Sequence, residues 1–395
     1  MKGGRICWKI CRFRNKTMKS EFTFLFSILI VGGVLAFYLM SKEKKIETFF
    51  TEEIIREQEM ELFSTEDFIG NWLTNDNGTL ATYIKDGDLE DVDLVKGRES
   101  LSESLGLYME YALLADNQAL FDDSYRLLMQ YFIEPDGFVN WKLAEDGQSE
   151  VFANALVDDL RISLALFQAG KKWGEPRYEK TATQIGHYTA QSNVYNDTLT
   201  DYYVKKEGLP SEVVTLSYIE PSALTRLAEE NLLDPLIYKN MLDILEHAPL
   251  DGPFYPKAFN SKHKEYVYDT KINLIDQSLV ALYRARSGFS TTKFMKFIKK
   301  EFKQNGVIFG QYDRLTKKPI VEYESPAIYG WLILYSLEIG EEEFAQKLFQ
   351  RMVQFKSHES AYYGGYSVYQ DDTHIFDNLL PLIAEKELWN EGFIK

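Results

Sequence analysis

The sequence predicts an all-α protein, an (α/α)6 toroid of six helical hairpins preceded by one N-terminal transmembrane helix. Three observations point there. Helices that are apolar on most sides alternate with amphipathic ones, the apolar set recurs near residues 102, 157, 221, 270, 325 and 373, and one long uncharged run lies close to the N-terminus.

That run is read first. Residues 1–21 form a basic tail, with Lys2, Arg5, Lys9, Arg12, Arg14, Lys16 and Lys19 against the single acid Glu21. Phe22 to Met40 is uncharged over 19 residues, and at 1.5 Å per residue a helix of that length reaches about 28 Å, enough to cross a hydrocarbon core. The basic flank keeps the N-terminus cytoplasmic and sends the remainder outside. A cleaved signal peptide has a shorter apolar region that ends in small residues, whereas this one ends Phe37-Tyr38-Leu39-Met40. The expectation is an uncleaved, single-pass cell-membrane anchor with an extracellular domain.

Composition narrows the classes further. The tail contributes +6 to a net charge of −16, which leaves about −22 on the rest. An acidic domain without a basic stripe argues against nucleic acid as a ligand. Both cysteines, Cys7 and Cys11, lie in the tail, so the exported part forms no disulfide and offers no cysteine for a lipid-anchored terminus. Some 355 residues bury a large core without such staples.

Residues 41–96 read as a juxtamembrane segment with a first helix at Glu52–Phe63, and 97–395 as the toroid. Ser102–Ala115, Val157–Ala169, Thr270–Ala285 and Ser325–Leu337 are apolar nearly all round, as buried helices are. Thr291–Gln304 gathers Phe294, Phe297, Ile298 and Phe302 on one face with lysines elsewhere, and Glu341–Lys356 is amphipathic too. An inner ring wrapped by an outer ring gives that alternation. The sixth hairpin is one helix short: only Thr373–Trp389 remains, interrupted by Pro381, and an N-terminal helix would complete the ring. Gly137–Lys142 and Gly252–Tyr268 suit short rim strands, and no sheet domain is expected.

In such a ring the N-termini of all inner helices share one face. Glu103 heads the first, Asp158-Asp159 the third, and Ser217-Tyr218-Ile219-Glu220-Pro221 leads into the fifth. Tyr266-Val267-Tyr268-Asp269 precedes the seventh and Tyr323-Glu324-Ser325-Pro326 the ninth. Acidic residues in a first turn also complement the helix dipole, which accounts for any one of them alone. Carboxylates and tyrosines repeated at alternate helices suit sugar chemistry, where rings stack on pyranoses and two carboxyls handle the protons. Trp141, after a loop, is a stacking candidate, while Tyr108 and Tyr111 read as core.

The same residues resemble glycoside hydrolase family 8. Ser102-Glu103-Ser104-Leu105-Gly106-Leu107-Tyr108-Met109 is similar to its SEGxGYGM segment, and Phe121-Asp122-Asp123 and Trp141 fall where it has an FD pair and a stacking tryptophan. Asn154 to Ile162, with Lys172-Trp173-Gly174, resembles ATDADLDIA…W; Ser217 to Ala223 resembles SYFAPAA; Tyr268-Asp269-Thr270 resembles YDA. The likeness runs in order from about 97 to 290 and more weakly beyond. It implies an inverting β-glycanase of the exopolysaccharide-associated kind, with Glu103 as general acid and Asp269 as general base. Asp158, Asp159, Trp141, Tyr218 and Tyr268 would bind substrate.

Four positions depart from the family pattern. Val157 stands at the first aspartate of ATDAD, so its contact to the sugar is lost or moved to Asp158; Ile272 stands at the arginine three residues after the base; Ser104 and Tyr108 replace glycines. A helix N-terminus also favours an ionised Glu103, whereas a general acid needs burial or a neighbouring negative charge, for which Asp159 is the expected source.

The five histidines, His187, His247, His263, His358 and His374, show no close ligand spacing, and HExxH, a phosphate loop and GxSxG are missing. No metal or cofactor is therefore expected. The expected partners are a polysaccharide, the cytoplasmic membrane and, by analogy, polysaccharide synthase or export machinery. The rival readings are an inactive glycan-binding scaffold and a polysaccharide lyase on the same kind of toroid.

Overall fold

The computed structural model describes residues 63–87 and 94–394. The expected span Phe22–Met40 and almost all of the helix Glu52–Phe63 lie outside those residues. Among the described residues, no helix is long and apolar enough to cross a membrane.

Twelve α-helices are described: α1 (Ser64–Trp72), α2 (Ser102–Leu114), α3 (Gln118–Leu127), α4 (Leu156–Trp173), α5 (Pro176–Ser192) and α6 (Pro221–Glu229), then α7 (Pro235–Glu246), α8 (Leu274–Arg286), α9 (Thr292–Asn305), α10 (Pro326–Glu338), α11 (Glu342–Met352) and α12 (Phe376–Asn390). The even-numbered helices pack in sequence, α2 on α4, α4 on α6, and so on to α12, which returns to α2 and closes an inner ring. The odd-numbered helices lie outside it, and the whole has the arrangement of an (α/α)6 toroid. Burial follows the sequence pattern. In α10 the residues Pro326 to Ser336 are all buried, whereas α9 buries Phe294, Met295, Ile298 and Glu301.

The twelfth position is filled from the N-terminal side. Helix α1 packs on α12, Tyr111 donates to Glu66 at 2.5 Å, Thr65 donates to the Gly364 carbonyl at 2.7 Å, and the Phe63 and Trp389 rings meet edge to face at 5.8 Å. Among the described residues, α1 thus packs with the helices that follow residue 97. Pro381 does not interrupt its helix, contrary to expectation. It sits in the second turn of α12, where the lost amide bond is offset by burial of Leu379, Leu380, Leu382 and Ile383.

Short ladders line the inner-helix N-termini. Val213–Thr215, Ala258–Asn260 and Glu265–Val267 form a three-stranded antiparallel sheet. Lys271–Asn273 pairs with Gln311–Asp313, so the seventh helix starts at Leu274 rather than Thr270, capped by the Asn273 side chain on the Ile275 amide. Ile272, at the family's arginine position, is buried opposite Tyr312 in that ladder.

Candidate active site

Glu103 lies in the first turn of α2, and the start of that helix is held from outside. Leu101 pairs with Lys142, and the Ser102 amide donates to the Trp141 carbonyl at 2.9 Å. This places half-buried Trp141 beside the helix that carries Glu103. The Lys142 ammonium stands 5.5 Å from the Trp141 ring centroid and 3.3 Å from Glu99.

The next inner helix brings a second carboxyl. Ser102 Oγ donates to Asp158 Oδ2 at 2.8 Å, and the Arg161 guanidinium reaches Asp158 Oδ1 at 3.2 Å. Burial, then the charge of Asp158, push the Glu103 carboxyl up to about 7, while Arg161 pulls the other way. Burial pushes Asp158 up as well, but Arg161 and the Ser102 hydroxyl stabilise its ionised form. The charge beside Glu103 therefore comes from Asp158, which corrects the expectation from the sequence that Asp159 supplies it. Adjacent residues at a helix start diverge by about 100°. Asp159 is turned between α4 and α5, accepting from Asn154 at 2.7 Å and Thr189 at 2.9 Å. It is only 1% exposed, and burial raises its proton affinity well above the usual carboxylate range.

Tyr218 precedes α6 and is half-buried. Burial raises its phenol, followed by the charges of Asp158, Asp201, Glu103 and Asp276, so four carboxyls act on it electrostatically. Two of these, Asp201 and Asp276, were not singled out in the sequence. Asp201 accepts from the Thr215 amide at 2.6 Å and its hydroxyl at 2.8 Å, and burial lifts it to about 6. Asp276, in the first turn of α8, accepts from Ser217 Oγ at 2.8 Å and pairs with Lys257 at 2.5 Å. An acid in the first turn of an inner helix was the available signal for Asp276; its offset start hid it.

Tyr268 and Asp269 sit farther out, between the strands Glu265–Val267 and Lys271–Asn273. Asp269 is exposed. Tyr268 donates to the Pro249 carbonyl, and the Arg314 guanidinium lies 5.2 Å from its ring centroid, which occupies one face of the ring. The geometry thus gathers Glu103, Asp158, Trp141 and Tyr218 at the starts of α2, α4 and α6. Asp269 and Tyr268 are on the rim beside α8, and Asp159 is sealed in the wall.

A cavity of about 650 Å³ farther along the inner helices is lined by Glu110, Arg161, Glu220, Tyr283, Arg286 and Trp331 and does not include Glu103. Among the described residues one group has metal-ligand spacing, Asp243, Glu246 and His247 at the C-terminal end of outer helix α7. Asp243 there is already paired with Lys239, and its carbonyl is bonded to His247 Nδ1.

A ring of paired helices whose inner-helix starts gather carboxyls and aromatic rings, with burial and the charge of Asp158 raising the Glu103 carboxyl, is the arrangement of a glycoside hydrolase of the helical-toroid class. The chain belongs to the glycosyl hydrolases family 8, whose pattern matches residues 68–224. It is 38% identical over 333 residues to "Putative lipoprotein YdaJ" of Bacillus subtilis, covering 84% of this chain and 88% of that one. Endoglucanase 2 of Ruminiclostridium josui is 30% identical over 131 residues, 31% of this chain and 28% of the enzyme. Among solved structures, a novel alpha-amylase from Clostridium perfringens superposes with a TM-score of 0.73 at 26% identity, over 82% of this chain and 96% of its own. The chain is therefore a glycoside hydrolase, and hydrolysis with inversion follows from the family.

Proposed function

We propose that the protein hydrolyses β-glycosidic bonds of an extracellular polysaccharide, an exopolysaccharide or β-glucan, with Glu103 as general acid and Asp269 as general base. The observation that carries this reading is the raised Glu103 carboxyl beside Asp158. At neutral pH Glu103 gives its proton to the glycosidic oxygen as the bond to the anomeric carbon breaks. Water deprotonated by the base attacks from the opposite face, which inverts the configuration. Asp158 takes the sugar contact that Val157 cannot make, and Trp141 and Tyr218 offer rings to the pyranose.

Two parts of this reading have specific rivals. For the base, Asp276 shares the surroundings of Tyr218 with Glu103, whereas Asp269 is supported by its place in the Tyr268-Asp269-Thr270 segment. For the bond, the endoglucanase relative supports a β-linkage, and the longer superposition on an alpha-amylase supports an α-glucan. Purified full-length protein incubated with β-glucan, xylan, chitosan, native exopolysaccharide and starch decides the substrate by reducing-end release. Cleavage of starch alone overturns the β assignment. No cleavage of any glycan supports the inactive scaffold, for which Val157 and Ile272 speak, and ultraviolet-absorbing unsaturated products would mark a lyase.

Phe22–Met40 anchors this enzyme in the cell membrane with its N-terminus in the cytoplasm, where polysaccharide synthase or export machinery is its neighbour. Protease added to intact cells then removes the domain, and full protection sinks the proposed orientation.

A further inference from the structure

Glu103, half-buried, and Asp158, buried, stand at the starts of adjacent inner helices and are joined through Ser102. Two such groups side by side do not both ionise without a large cost, so near neutrality they hold one proton between them. A general acid works only if that proton is on Glu103. The surroundings of the two carboxyls are unequal, and Arg161 makes them so. Its guanidinium reaches Asp158 Oδ1 at 3.2 Å, with both side chains nearly sealed from solvent at 8% and 5% exposure. Its stem runs past α2 at Gly106, three residues after Glu103, where an added Cβ would stand 3.2 Å from Arg161 Cδ. The missing side chain at 106 thus opens the path by which Arg161 arrives.

The other ionisable groups facing Arg161 are Tyr283, Glu103 and Glu110. Of these, Tyr283 and Glu110 line the same cavity as Arg161, which Glu103 and Asp158 do not line. An arginine is always charged at these pH values. The pair is also a joint departure from the resembled ATDADLDIA pattern. Asp158 stands where that pattern has alanine and Arg161 where it has its last aspartate, one helical turn apart on α4. A carboxylate displaced from 157 to 158 has acquired its counter-ion on the same face.

We propose that Arg161 is a positioning residue that fixes the negative charge on Asp158 and thereby assigns the shared proton to Glu103, without itself touching the substrate. This rests on Glu103 being the acid, and the test separates the two claims. The full-length protein, Arg161→Gln, Arg161→Lys and Glu103→Gln are each assayed on two substrates, with melting curves recorded for all. One is an unactivated oligosaccharide, which needs leaving-group protonation. The other is the matching glycosyl fluoride (β-cellobiosyl or α-maltosyl, whichever the wild type turns over), whose fluoride leaves with little help.

Arg161→Gln keeps a hydrogen-bond donor but no charge. It should lose about 100-fold or more in kcat/KM on the oligosaccharide and less than about tenfold on the fluoride, as Glu103→Gln should. Arg161→Lys, which keeps the charge, should recover most of the oligosaccharide activity. Equal losses on both substrates for Arg161→Gln, or no loss on either, overturn the role of Arg161. Failure of Glu103→Gln to discriminate between the substrates overturns the acid assignment instead.

Discussion

Ser102 Oγ lies 2.8 Å from Asp158 Oδ2, and this bond joins the first turns of two adjacent inner helices. Because Ser102 precedes Glu103, it fixes a carboxylate beside the group that must stay protonated. The helix dipole acts against protonation, at about 0.3–1 kcal/mol for an exposed terminus. A carboxyl moved from 4.5 to about 7 reflects roughly 3 kcal/mol at ~1.4 kcal/mol per unit. Burial and Asp158 therefore outweigh the dipole.

The pH profile should report that neighbour. The wild-type kcat/KM is expected to fall above about pH 7, where Glu103 loses its proton. In Asp158→Asn the charge that raises Glu103 is gone and Arg161, which lowers it, is unopposed. The alkaline limb should then move at least about one unit toward acid, beyond any uniform loss from the missing sugar contact. A limb left where the wild type has it would show that Asp158 does not govern Glu103.

Stability should carry the same signature. A group whose proton affinity is higher in the folded state stabilises the fold fully below its unfolded value, here 4.5, and loses that contribution as pH rises through about 7. Glu103→Gln removes the titration. The variant is expected to match the wild type near pH 4 and to exceed it at pH 8 by on the order of 3 kcal/mol in denaturant unfolding. Parallel curves at the two pH values would contradict a Glu103 whose proton affinity is raised in the folded state.

The helical periodicities carried the toroid because the inner and outer helices bury different fractions of their surface, and α10 and α9 show the two extremes. The placement of Glu103 at the start of an inner helix was legible because an acid opens a helix that is apolar nearly all round. What escaped was orientation. Asp158 and Asp159 are both acids in one first turn, and only the packing of Thr189 and Asn154 from α5 and its flank decides which one is consumed by the wall. Arg161 reads in sequence as a polar residue in a buried helix. Its role depends on a contact between α4 and α2 that no spacing within α4 encodes. Asp276 was displaced from notice because Lys271–Asn273 is recruited into a ladder with Gln311–Asp313, which delays the helix by four residues.

Asp159 offers a test of that orientation. Burial raises its proton affinity well above the usual carboxylate range, and asparagine matches the shape and charge of the protonated form that burial favours. Asp159→Asn should fold normally and keep kcat/KM within about threefold. Asp159→Ala leaves Asn154 and Thr189 without their acceptor and should cost about 2–4 kcal/mol in stability. A large loss of turnover in the asparagine variant with unchanged stability would return Asp159 to the substrate.

The base is decided by rescue with a small nucleophile. Removing a general base leaves a gap opposite the leaving group, and azide, which needs no deprotonation, can attack there in place of activated water. Asp269→Ala is expected to lose about 10²–10⁴-fold in kcat and to recover in azide with a glycosyl azide of inverted anomeric configuration. Asp276→Ala frees Ser217 and Lys257 from their shared partner. It should weaken turnover without such recovery, because the loss is one of support. Nuclear magnetic resonance of the azide product separates the cases. If the inverted azide forms with Asp276→Ala and not with Asp269→Ala, the water is activated at the start of α8 and the exposed rim carboxylate takes no part in the reaction.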